Sequence, residues 1–168
     1  MTLPYDSISI PAPSPEGNAL LAHLIDGAGF RFRRATEGLT DNVAAFEPPN
    51  GAMGLQALMH HMRDLAAVVG GAVDSAGPNH DASGLDALRL ATLEHLEAAS
   101  AAVRSKSADE LRAIELRLSD ELNGNLMNLV HGPLSDFLTH VGQVNFVRRL
   151  AGNPAPPTDH FNGKPRSQ

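Results

Sequence analysis

Residues 133–151, PLSDFLTHVGQVNFVRRLA, read as one long helix, and the wheel of that helix decides both the fold class and where to look for chemistry. At about 100° per residue, Phe137, Val144, Val147 and Ala151 form a single inward stripe. Asp136 and His140 fall within the same stripe, one turn apart, and Gln143 lies at its edge. Proline at the first turn gives up only an N–H that has no intrahelical partner, and Gly152-Asn153-Pro154 is a strong stop. Residues 126–130 read as a helical piece before it, with a break at Gly132-Pro133.

Three more helices precede this one. Over residues 18–39, Leu21, Leu24, Ile25, Ala28, Phe32, Ala35 and Leu39 recur at spacings of three and four. The FEPPNG stretch at 46–51 is a turn, because two prolines and Asn-Gly cannot continue a helix. Residues 53–69 place Leu55, Leu58, Met62, Leu65 and Val69 on one face and end at Gly70-Gly71, and 72–84 read as a loop. Residues 85–103 bury Leu85, Leu88, Leu96, Ala99 and Val103 and leave Arg89, Glu94 and Glu97 outside. Ser107 and Glu110 form a capping box that opens a short segment fading near Arg117.

Prolines at 4, 11, 13 and 15 make residues 1–16 an extended arm, in which only Ser7 to Ile10 alternates like a strand. The expectation is an all-α chain: a helical bundle domain over 17–153, most simply four long helices with short extra segments, and a surface tail over 154–168.

The chain has 168 residues, 42% of them hydrophobic, which suits one domain with one core. A formal charge of −6, from 13 basic and 19 acidic residues, argues against broad capture of nucleic acid or anionic lipid. Without cysteine there are no disulfides, thiolate metal sites or cysteine nucleophiles. No apolar run reaches the roughly 18–20 residues of a membrane span, and the N-terminus lacks a basic start and an apolar signal core, so the cytoplasm is the default location. No phosphate-binding loop, Ser/His/Asp order or nucleic-acid module stands out.

Chemistry is left to the eight histidines, the carboxylates, the hydroxyls and a bound cofactor. A carboxylate facing a core is costly unless it is paired, hydrogen-bonded or metal-bound, so Asp136 needs an explanation. On the second helix His61 flanks the apolar stripe, whereas His60 points away from it. His61, Asp136 and His140 together make a facial set for a divalent transition metal with open positions. The alternative is a buried Asp136–His140 pair neutralising itself beside a half-buried His61, and spacing does not decide between them. The metal reading requires the Asp136 carboxyl to lie in the apolar interior with a cation. Gln143 is a candidate second-shell group and His131 a weaker substrate contact. Arg31, Arg33 and Arg34 could form an anion site with Arg148 and Arg149, though exposed arginines usually make a solvated face.

The block 132–154, GPLSDFLTHVGQVNFVRRLAGNP, resembles the C-terminal signature of the DinB/YfiT-like helical bundles, in which a metal-binding histidine is followed by glycine and glutamine; here these are His140, Gly142 and Gln143. GLQALMHHM, 54–62, resembles the family's second-helix segment and aligns its metal-binding histidine with His61. Many members have a histidine where this chain has Asp136, which keeps a ligand and changes the charge, leaving zinc, nickel, iron and manganese all open. The resemblance implies a homodimer and a metal-dependent enzyme acting on a small molecule, either a transferase using a low-molecular-weight thiol or a hydrolase. A non-catalytic dimeric bundle with a structural metal or a buried polar pair is the competing expectation.

Overall fold

The computed structural model describes residues 3–10, 16–78, 83–119 and 123–166. It is mostly helical. The helices are α1 (Gly17–Ala35), α2 (Asp41–Ala44), α3 (Leu55–Ala72), α4 (Leu85–Ser105), α5 (Ala108–Arg112), α6 (Leu126–Leu129) and α7 (Ser135–Leu150). Helix α1 packs on α4, α4 on α3, and α7 closes against both α3 and α1. The stripes predicted from spacing supply the core, with Ile25, Phe32, Leu58, Met62, Leu96, Phe137 and Val144 all buried. Phe32 and Phe137 meet with ring centroids 5.6 Å apart, fastening α1 to α7. Leu24 is the exception on the α1 stripe, being exposed. No helix among the described residues is long and apolar enough to cross a membrane.

The expected break at Gly132-Pro133 is absent. Residues Val130–Leu134 form a π-helical turn that joins α6 to α7 without interruption. The Ser135 backbone N–H donates to the Val130 carbonyl, five residues back, and the Ser135 hydroxyl donates to the same oxygen at 2.7 Å. A wider turn of this kind accommodates Pro133, which has no N–H to give and would clash in a regular α-turn.

Helix α3 also outlasts its expected stop at Gly70-Gly71, ending at Ala72. Gly70 is buried, and a Cβ there would approach the Ser75 hydroxyl to 2.8 Å, so this glycine serves close packing. The capping box at Ser107 forms as expected, with both reciprocal bonds to Glu110. Helix α5 nevertheless stops at Arg112, and the chain extends into β1 (Glu115–Arg117), antiparallel to β2 (Asn123–Asn125). A second two-residue ladder joins β3 (Thr158–Asp159) to β4 (Lys164–Pro165) in the tail. Ser7 to Ile10 join no ladder, although the Ile8 N–H donates to the Gly163 carbonyl at 3.0 Å.

Of the arginines expected to make a solvated or anion-binding face, Arg31 and Arg149 are exposed, and Arg33, Arg34 and Arg148 are instead structural clamps. Arg33 donates to Pro4 O at 2.9 Å, to Leu3 O, and to Asp6 Oδ1 at 2.7 Å. Arg34, buried, reaches Asp6 Oδ1 at 2.9 Å and Glu37 Oε2 at 2.6 Å. Arg148 is 1% exposed and donates to Ala35 O, Glu37 O, Asn153 O and Asn153 Oδ1 at 2.6–2.8 Å, tying the C-terminal ends of α1 and α7 together. Arg89, expected outside, is half-buried and donates to Thr36 Oγ1 at 2.9 Å and Arg33 O at 3.1 Å. The carbonyls left unpaired at a helix C-terminus attract such cations.

Through these clamps the arm lies against α1. The Tyr5 ring covers Gly29, where any Cβ would overlap it. Its hydroxyl is buried without a hydrogen-bond partner, and burial, reinforced by Asp26 and Glu97, drives its pKa up. Nearby Asp26 accepts from Ser100 at 2.6 Å and from Arg104, a buried polar link between α1 and α4. The arm prolines at 11, 13 and 15 lie outside the described residues, as do 79–82 of the expected loop.

Candidate metal centre

Helix α3 carries His61 in its second turn, and α7 carries Asp136 and His140 at i and i+4. The packing of α7 against α3 brings the three together. His61 Nε2 lies 3.4 Å from Asp136 Oδ2, and His140 Nε2 lies 3.4 Å from Asp136 Oδ1. One ligand atom from each residue fits within 4.8 Å of the others, so the group could hold a metal ion. The two imidazoles meet edge to face with centroids 4.7 Å apart at 84°.

The two nitrogens face different oxygens of the carboxylate, so these are two long imidazole–carboxylate contacts, and a set of one ligand atom per residue spans up to 4.8 Å. A close hydrogen bond between imidazole and carboxylate would draw the atoms to about 2.7–3.2 Å. Here two imidazoles face one carboxylate, both at a longer distance.

Asp136 does not lie in the apolar interior. Its side chain is 47% exposed, His61 is 41% exposed, and only His140, at 11%, is largely enclosed. The wheel misplaced the carboxylate because Val141 and Arg148 belong to the buried face of α7 and had not been counted in it. Adding them turns the centre of that face about 20° away from Asp136, which ends on its margin. The interior carboxylate that the metal reading required is therefore not found and its desolvation lends that reading no support; what remains is that the three groups together could hold an ion. The rival condition, an arginine matched to Asp136, is not met either: its partners are the two imidazoles.

Gln143 is exposed, yet its Oε1 lies 2.9 Å from His140 Nδ1. With that oxygen as acceptor, Nδ1 is the donor and Nε2 is the nitrogen left facing Asp136, the arrangement of a metal-ligating histidine held through its other ring nitrogen. His60 is exposed and stands apart from the group, as the wheel predicts. His131 is exposed on the π turn and contributes no atom to the group.

The centre is open to the surface. A cleft along β1 and β2, lined by Leu116, Arg117 and Asn123, and another between α2, α3 and α4, lined by Gln56, Met59 and Leu88, both lie away from the three ligands. What sequence reading missed is the set of polar groups that hold the bundle ends, above all Arg148 and Asp26. Both sit at core positions of their helices, which is the one signal the sequence offers for them. No family model, curated protein or solved structure matches the chain.

Proposed function

We propose that the chain is a divalent-metal protein of the DinB/YfiT type, a four-helix bundle that pairs as a homodimer and acts as a metal-dependent enzyme on a small molecule. The observation that carries this reading is the grouping of His61, Asp136 and His140, one possible ligand atom from each lying within 4.8 Å of the others. Zinc, nickel, iron and manganese all suit this nitrogen and oxygen set. A bound ion would polarise a carbonyl or lower the pKa of a bound water or thiol. Asp136 contributes negative charge, His61 and His140 neutral imidazoles, and Gln143 fixes the His140 ring. Exposure of His61 and Asp136 leaves room for a thiol cosubstrate in the transferase version, or for water in the hydrolase version.

The second reading, a non-catalytic dimer with a structural ion, draws on the position of the clefts away from the ligands. Against it, a structural zinc site normally has four protein ligands, and three are grouped here among the described residues. Elemental analysis of purified protein is the test, with about one equivalent of metal expected in the wild type and in His60→Ala, and a loss in His61→Ala and His140→Ala. Full retention by His61→Ala overturns the assignment. Cobalt substitution then separates the two readings: an open site changes its visible spectrum when a small thiol such as 2-mercaptoethanol is added, and a closed structural site does not.

A further inference from the structure

We propose that α7 alone carries a preformed half-site, Asp136 with His140 locked by Gln143, and that His61 is an exchangeable third ligand. This rests on the metal reading above and assigns unequal roles to two histidines that the sequence treats alike.

The inequality is visible in how each ring is held. Asp136, His140 and Gln143 lie at i, i+4 and i+7 of one continuous helix, so the backbone of α7 sets their spacing whatever α3 does. His140 is 11% exposed and has its second nitrogen fixed by Gln143 at 2.9 Å. His61 reaches the site from a different helix, is 41% exposed, and among the described residues makes its side-chain hydrogen-bond contact through Nε2. Among those residues its Nδ1 shows no hydrogen bond, so the His61 ring lacks the second anchor that Gln143 gives His140. A ligand that must be ordered on binding contributes less net affinity than one already in place. Coordination would thus be strong on the α7 side and adjustable on the α3 side, and the position nearest His61 is where an incoming ligand displaces protein.

The test is zinc affinity of metal-free protein, measured by competition with a chromophoric chelator, for wild type, His61→Ala, His140→Ala and Gln143→Leu. Gln143 is exposed, so its replacement leaves the fold intact. His61→Ala should keep measurable binding, tighter than that of His140→Ala, and Gln143→Leu should bind about 10–100-fold more weakly than wild type. Long-range proton–nitrogen NMR of the metal-free protein adds a readout independent of affinity. It should find His140 Nδ1 protonated in the wild type through its bond to Gln143, and that signature lost in Gln143→Leu. Equal losses in the two histidine variants, wild-type affinity in Gln143→Leu, or an unprotonated His140 Nδ1 in the wild type each overturn the half-site while leaving the metal centre standing. A wild type that binds no zinc removes both.

Discussion

Replacing Asp136 with Asn gives two opposite results depending on whether metal is present. The carboxylate is 47% exposed and stands 3.4 Å from two imidazoles. Partly exposed pairs of this kind contribute about 0–1 kcal/mol, so metal-free Asp136→Asn should melt within a few degrees of metal-free wild type. An interior carboxylate would behave differently, since breaking a buried pair costs about 3–5 kcal/mol. With zinc at about 100 times its dissociation constant, the wild type gains about 2.7 kcal/mol. For a chain of this size that raises the melting temperature by about 5–10 °C. If losing the ligand weakens binding about 100-fold, the same zinc concentration yields about 0.4 kcal/mol, a rise of about 1 °C. The chain has no tryptophan, so the melts are best followed by far-ultraviolet circular dichroism or calorimetry. Two outcomes would refute the reasoning: a metal-free variant that melts far below wild type, or a variant that keeps the full zinc-induced rise.

Other parts of the structure make their own predictions. Arg148→Met keeps the bulk of a buried side chain and strands the carbonyls of Ala35, Glu37 and Asn153, so denaturant unfolding should show a loss of about 3–5 kcal/mol. Arg148→Lys should recover only part, because an ammonium cannot reproduce the guanidinium fork, and a loss under about 1 kcal/mol in Arg148→Met would contradict the clamp. Tyr5→Phe removes a buried hydroxyl with no partner and should leave stability unchanged or raise it by up to about 1 kcal/mol; a clear loss in urea melts would show that the hydroxyl is paired after all. His160 packs edge-on to Phe30, and burial, then the Arg31 charge, holds its pKa below the ordinary histidine value. The folded tail therefore favours neutral His160, and its docking is full above about pH 6.5 and weakens as pH falls. Corrected amide protection of Ile8, whose N–H donates to Gly163 O, should drop on acidification in the wild type and less so in His160→Gln.

Apolar spacing located α1, α3, α4 and α7 because each buries one face, and a period of three and four records which face that is. It also set exposed His60 apart from His61, which joins the group, the two lying about 100° apart on one helix. Depth was not legible in the same way. A wheel gives direction, and whether a direction is buried depends on what lies opposite, so Asp136 came out at the margin and Arg89 half-covered. The arginine clamps escaped notice because their acceptors are carbonyls of the arm and of distant helix ends, which carry no side-chain signature. Gly132-Pro133 read as a stop because both residues disfavour an α-turn, and local preference does not reveal that a wider turn can admit them. The capping box was legible for the opposite reason: both of its bonds lie within four residues.

The winding at Val130–Leu134 holds one residue more than an α-helix of the same rise. Deleting a residue there and restoring regular winding would rotate whatever lies on one side by about 100° relative to the other. Either the face bearing Asp136 and His140 would turn away from α3, or α6 and the β1–β2 hairpin would leave their seats. The aim of two candidate ligands at a third is thus fixed by a count of residues in a segment that supplies none of them, and a change of length there acts on the group as directly as replacing a histidine.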